Sequence, residues 1–191
     1  MKLSQVIIAA STAFLLQGCI AAAVIGVVGG ATVVSDNRTI GTQLNDQQVE
    51  LDAHSALNKI EGLTDNTNLQ VVSLNGSVLV VGQAPNAYLK NLAIKTIEKI
   101  DGVQQIHNQV RISNVTALTT RSNDVWLTSK VKTAIFNSDS LDATNVKVIT
   151  ENGEVFLMGL INQRDGDKAV EIARHVSGVN RVFKMFEYTE K

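Results

Sequence analysis

Cysteine occurs once among the 191 residues, at Cys19, so no disulfide can form within the chain. Aromatic residues are scarce, proline occurs once, and Trp126 is the only tryptophan. The formal net charge is −1, which supplies no basic excess for nucleic acid, and the composition is not that of a low-complexity chain. His54, His107 and His175 stand in separate stretches without a neighbouring cysteine, so closely spaced metal ligands are missing. No nucleophile-elbow pattern accompanies them, and Gly29-Gly30 does not lie between a strand and a helix as a phosphate cradle would. These absences imply no cofactor and a protein that is not an enzyme. A Ser-His-Asp set assembled only in three dimensions stays open at this point.

What is present begins at the amino end. Lys2 precedes an apolar core from Val6 to Leu16, the layout of a secretory signal. The leader ends in Leu16-Gln17-Gly18-Cys19, which resembles the lipobox of bacterial lipoproteins. That resemblance implies cleavage after Gly18, a diacylglyceryl thioether on Cys19 and acylation of the new amino terminus. Several acyl chains, at about 0.8 kcal/mol per buried methylene, anchor a protein that a single myristoyl chain would not. Ile20 stands where, in enteric-type bacteria, an aspartate would signal inner-membrane retention; the implied destination is the periplasmic face of the outer membrane. Residues 20–34 are mostly alanine, glycine and valine, and fall short of the ~20 apolar residues of a helical span. A flexible tether is the preferred reading, with a membrane span as the alternative.

An internal repeat organises the remainder. Residues 46–112 align over 124–188, with Val71 on Val148, Asn75-Gly76 on Asn152-Gly153, Gly82 on Gly159 and Gly102-Val103 on Gly178-Val179. Each half opens with a helix whose expected N-cap is Asp46 or Asp124. Its core stripe is Val49, Ala53, Ala56, Leu57 and Ile60 in one copy, and Leu127, Val131, Ala134 and Ile135 in the other. Two β-rich runs then meet at Asn-Gly, a strong hairpin signal because both turn positions need positive φ. A second helix follows over 87–100 and 164–176, with Gly102 and Gly178 expected as left-handed caps. The last strands are 105–112 and 181–188. The hairpin makes the first two strands antiparallel, and the helical crossover can return the third parallel. The expected fold is α+β: two αββαβ units, each a three-stranded mixed sheet packed against two helices.

This order, with its hairpin glycine and the glycine before the last strand, resembles the BON domain. Two copies behind a lipobox are similar to the dual-BON outer-membrane lipoproteins of the DolP (YraP) family. The likeness is carried by Leu15 to Cys19, by Arg38-Thr39-Ile40-Gly41-Thr42-Gln43 and by Asn152-Gly153-Glu154-Val155-Phe156-Leu157-Met158-Gly159-Leu160. The domain reading is a signal peptide at 1–18, lipidated terminus and tether at 19–42, BON copies at 43–113 and 122–191, and a linker at 114–121.

The copies differ in their first helix. In the first copy the outer face is polar, with Asp52, His54, Ser55, Asn58 and Lys59, and Leu51 is its sole large apolar residue. In the second copy Val125, Trp126 and Phe136 point away from the core stripe, with Ser129 and Thr133 between them and Lys130 and Lys132 at the edges. An apolar strip with a tryptophan and snorkelling lysines suits a helix lying at a membrane interface. Family resemblance implies that this helix binds anionic phospholipid such as phosphatidylglycerol or cardiolipin, through Trp126, a basic residue at Lys132 and an apolar one at Phe136. Lysine here replaces the family's frequent arginine, and phenylalanine an aliphatic residue. The resemblance further implies a role in outer-membrane integrity, enrichment at division sites, and support of the β-barrel assembly machinery. The alternative function is a protein-interaction adaptor that docks the same strip on an assembly or cell-wall remodelling factor. At this point Trp126 or Phe136 packing against the other copy or the linker also stays open.

Overall fold

Two Asn-Gly hairpins set the architecture. The computed structural model describes residues 40–138, 141 and 143–189, so the leader, Cys19 and most of the tether lie outside the described residues. The first copy runs α1 (Ile40–Asn58), a short α2 (Leu63–Asn66), β1 (Asn68–Leu74), β2 (Ser77–Ala84), α3 (Ala87–Ile97) and β3 (Gln105–Ile112). The second runs α4 (Leu118–Phe136), β4 (Lys147–Glu151), β5 (Glu154–Ile161), α5 (Gln163–Arg174) and β6 (Arg181–Tyr188), with a 3₁₀ turn at Ala143–Asn145 before β4. The hairpin residues take the left-handed conformation that the sequence demands, with φ of 53° and 77° at Asn75-Gly76 and 51° and 74° at Asn152-Gly153. β2 is central in its sheet, antiparallel to β1 and parallel to β3, and β5 is placed likewise between β4 and β6.

Helices cover one face of each sheet. Val49, Ala53 and Leu57 of α1 meet Val71, Val78 and Val80 beneath them, joined by Ala93, Ile94 and Ile97 of α3. The second copy repeats this with Leu127, Val131 and Ile135 over Val148, Val155 and Leu157. Alternate residues of the same strands point the other way, and there the two sheets meet. Val72, Leu74, Leu79 and Val81 form a single buried cluster with Ile149, Phe156 and Met158. The order of layers is therefore helix, sheet, sheet, helix, and every residue of β2 is buried. Polar contacts fasten the rim of this sandwich. Lys147 Nζ donates to Ser73 O at 2.8 Å, Arg111 pairs with Glu154, and Asn75 Nδ2 donates to Glu187 Oε2 at 2.7 Å. Glu50 accepts the Ser73 amide at 2.8 Å and also faces Lys147 at 3.4 Å.

Asp46 and Asp124 correct an expectation. Neither caps a helix, because α1 and α4 each begin six residues earlier, at Ile40 and Leu118. Both aspartates are buried on the core side and hold the hairpin turn instead. Asp124 Oδ2 and Oδ1 accept the amides of Asn152 and Gly153 at 2.8 Å each, and Asp46 does the same for Asn75 and Gly76 at 2.9 and 3.2 Å. A tight turn leaves these amides without a partner in the sheet ladder, and a charged acceptor meets that need. Asp124→Ala should lower stability by about 1.5–3 kcal/mol, measured by urea unfolding, because hydrogen bonds to a charged group are the strong ones.

The glycines expected as helix caps are also reassigned. Helices α3 and α5 end in right-handed caps at Glu98 and His175. Gly102 and Gly178, at φ 92° and 102°, sit further on, in the turn that leads into the last strand. That turn docks on the hairpin through Gln104 N→Gly76 O and Asn180 N→Gly153 O, both 2.8 Å.

Candidate functional site

Helix α4 is the element on which the candidate residues lie. Asp124, Leu127, Val131 and Ile135 bury one side of it at helical spacing. The opposite side is open. Val125 is 69% exposed, Trp126 63% and Phe136 61%, so neither ring packs on the first copy or the linker. Ser129, Lys132 and Thr133 are exposed with them. The Ser129 hydroxyl bonds back to Val125 O at 3.1 Å, which leaves its stretch of the strip less polar than its side chain suggests. Lys130 is different: half-buried, it donates to Ser177 O at 2.6 Å. It is tied to the fold, and Lys132 is the freer of the two.

Because α4 starts at Leu118, the strip is longer than the sequence reading allowed. Leu118 is 71% exposed and, eighteen residues before Phe136, falls on the same side of the helix. At 1.5 Å per residue the apolar strip runs about 27 Å. The early start also turns Arg121, read as linker, into a helix residue. The signal that could have found it is the regular return of Leu118, Arg121, Val125 and Lys132 along one edge. Helix α1 offers no equivalent: Leu44 and Leu51 are exposed there, but they stand a full two turns apart, with the Gln48–Asp52 side-chain pair between them.

Arg121, Val125, Ser129 and Lys132 form one wall of an open groove of about 570 Å³, whose far wall includes Asn68 and Gln70 of the first copy. At its floor stands Glu151. Burial pushes this carboxyl above the usual range and the Asp124 charge adds to that, against the hydrogen bond from Gln83 and the charges of Arg111 and Arg121. Gln83 is itself buried at 1% exposure; its oxygen accepts from Asn68 and from Thr116 while its amide donates to Glu151. The groove wall is thus braced from both copies. Among the described residues no histidine, cysteine or carboxylate group could hold a metal ion, and no helix is long and apolar enough to cross a membrane. His54 is exposed, His107 contacts Ser77 Oγ at 3.0 Å and His175 contacts Glu171 O at 2.8 Å, so the three are not brought together.

The sequence relationships agree with this duplicated architecture. The BON domain family matches residues 45–114 and 123–190. The chain is 39% identical over 175 residues to the outer membrane lipoprotein DolP of Haemophilus influenzae, covering 92% of this chain and 91% of that one. It is 37% identical over 162 residues to a 21 kDa hemolysin of Actinobacillus pleuropneumoniae, covering 85% and 84%. It is 26% identical over 161 residues to the osmotically inducible protein Y of Escherichia coli K12, covering 80% and 77%. The chain belongs to the BON-domain family, as a dual-BON outer-membrane lipoprotein of the DolP kind.

Proposed function

We propose that this lipoprotein is non-catalytic and recognises anionic phospholipid with the outer face of α4, while acyl chains on Cys19 hold it on the periplasmic face of the outer membrane. The observation that carries the reading is the exposure of Trp126, Phe136, Val125 and Leu118 on one side of one helix, with Lys132 beside them. A lone exposed leucine needs no explanation; a continuous strip with an indole does. Tryptophan and phenylalanine settle at the headgroup boundary, and each is worth about 1.5–3 kcal/mol if fully buried there. A lysine near an anionic surface adds about 1 kcal/mol. Such a helix binds weakly by itself, and tethering raises its effective concentration at the bilayer. Support of outer-membrane integrity and enrichment at division sites follow in this proposal from choosing patches rich in acidic lipid.

The test uses the mature chain with Cys19→Ser, so that no acyl chain contributes. It should co-sediment with phosphatidylglycerol or cardiolipin vesicles and far less with neutral ones. Trp126→Glu should weaken that binding about 30-fold or more, the equivalent of about 2 kcal/mol of lost burial. Equal binding to neutral and acidic vesicles would overturn the reading. A photocrosslinker at Phe136 in cells should capture lipid; capture of one defined polypeptide would favour docking on an outer-membrane assembly factor or a cell-wall remodelling factor.

A further inference from the structure

Four successive residues of β4, Val148 to Glu151, line the groove beside α4. Side chains of a strand alternate between its two faces, so side chains alone cannot put four in a row on one cavity. Val148 points into the core it shares with Leu127 and Val131, and Ile149 points into the layer between the sheets. What the two share toward the groove is main chain. β4 is an edge strand, paired only with β5. Its tight turn makes Glu151 and Glu154 a hydrogen-bonded pair, so the N–H and C=O groups aimed outward belong to Thr150 and Val148.

The first copy shows such an edge covered. Ser73 of β1 holds the place of Thr150; its amide donates to Glu50 and its carbonyl accepts from Lys147. In α4, Thr128 stands where α1 has Glu50. Its hydroxyl donates to the Thr150 hydroxyl at 2.8 Å and leaves the Thr150 main chain alone. Among the described residues no group pairs with the outward N–H and C=O of Thr150 and Val148. Edges are ordinarily guarded by lysine, proline or a bulge, and between Lys147 and Glu151 β4 has only Val-Ile-Thr.

The rest of the lining does not call for an ion. Asp124 and Glu151 stand against Arg121 and Lys132, without net charge. The side chains of Thr128, Ser129 and Asn68 are already hydrogen-bonded. Donor and acceptor pairs two residues apart, about 7 Å, are matched by the backbone of an extended chain.

We infer that β4 takes up an extended, unfolded segment of another polypeptide as an added antiparallel strand, lying between α4 and the Asn68 and Gln70 side chains. Directly opposite residues share a side of the sheet. Those facing Val148 and Thr150 therefore point toward Val125 and Ser129, and suit β-branched side chains. The residue between them points with Ile149 toward the first copy, where Asn68 and Gln70 suit a polar one. This surface reads main chain and stands apart from the lipid-docking face, so either reading can fail without the other.

The probe is the capped peptide Ser-Thr-Val-Asn-Val-Thr-Ser, titrated into the Cys19→Ser mature chain and followed by NMR. In the free protein the Val148 and Thr150 amides should exchange with solvent about 10-fold or more faster than those of Ile149, in the ladder, and Ser73, held by Glu50. The peptide should shift the Val148 and Thr150 amides and slow their exchange. Methylating its two valine nitrogens removes the donors aimed at β4 and should weaken binding about 10-fold or more, the order expected for two lost hydrogen bonds. Val148→Pro removes an edge donor while sparing the β4–β5 ladder and should also weaken binding. Gln70→Trp fills the groove from the first copy and should do the same if Val148→Pro fails to fold. Amides at Val148 and Thr150 as slow as Ile149 in the free protein would overturn the proposal, because the edge would already be covered. Slowing that grows with protein concentration alone would make the occupant a second copy of this chain and overturn it too. So would equal binding of the methylated peptide, or shifts confined to Trp126 and Phe136, which would place the peptide on the apolar strip.

Discussion

Truncating Phe156 to alanine should lower the stability of the whole protein by about 3–5 kcal/mol, the range for removing a large buried ring. Phe156 is 2% exposed and stacks on Phe183 with centroids 4.8 Å apart and planes within 7°. It points away from the helices of its own copy, into the layer it shares with Val72, Leu74, Leu79 and Val81 of the other. The void would therefore open between the two sheets and weaken both at once. The parent protein should unfold in one transition, since either copy alone would expose the apolar centre of its sheet face. At about 2–4 °C per kcal/mol for a chain of this size, the melting midpoint should drop by roughly 6–20 °C. Differential scanning calorimetry reads this directly. A drop smaller than about 3 °C would show that the two sheets do not depend on each other.

That shared layer was visible in the sequence in one respect and hidden in another. Val78-Leu79-Val80-Val81 and Val155-Phe156-Leu157-Met158 do not alternate between apolar and polar, and a strand apolar on both sides is buried on both sides. Nothing in either run says what covers the second face. The local signals were stronger: Asn-Gly fixed both turns, and the last strands fall at 105–112 and 181–188 as the pattern predicts. Asp46 and Asp124 misled because an aspartate ahead of an apolar period reads like an N-cap, whereas each reaches a turn some 28 residues away that only the folded chain brings near. The same error hid part of the site. With α4 started at Asp124, Leu118 and Arg121 fell into a linker, and the strip lost one end and the groove its guanidinium. The tie of Lys130 to Ser177 was hidden for a different reason, since that partner lies 47 residues along the chain.

Gly82→Ala should be the other severe substitution, costing about 2–6 kcal/mol. Two independent penalties meet at this residue. Its φ of 121° lies where an L side chain is strained, worth about 1–3 kcal/mol. A methyl group there would also sit 1.8 Å from Asn68 O, and a backbone oxygen in a strand cannot swing aside. Forcing it apart adds about 1–3 kcal/mol of overpacking. Gly82 pairs with Leu69 in the β1–β2 ladder, so the displaced strand carries Asn68 off the oxygen of Gln83. Gln83 also braces Glu151 at the groove, so damage in the first copy should reach the wall facing α4. Gly153→Ala makes the comparison sharp. Its methyl group would meet Asn180 Nδ2 at 2.4 Å, the far end of a side chain that can rotate away, so mainly the backbone strain at φ 74° remains. Urea unfolding should therefore rank Gly82→Ala clearly below Gly153→Ala in stability. Equal losses would mean that the close approach of β1 to β2 at Asn68 is not what requires glycine at that point in both copies, where Gly159 similarly faces Asn145 O at 2.1 Å.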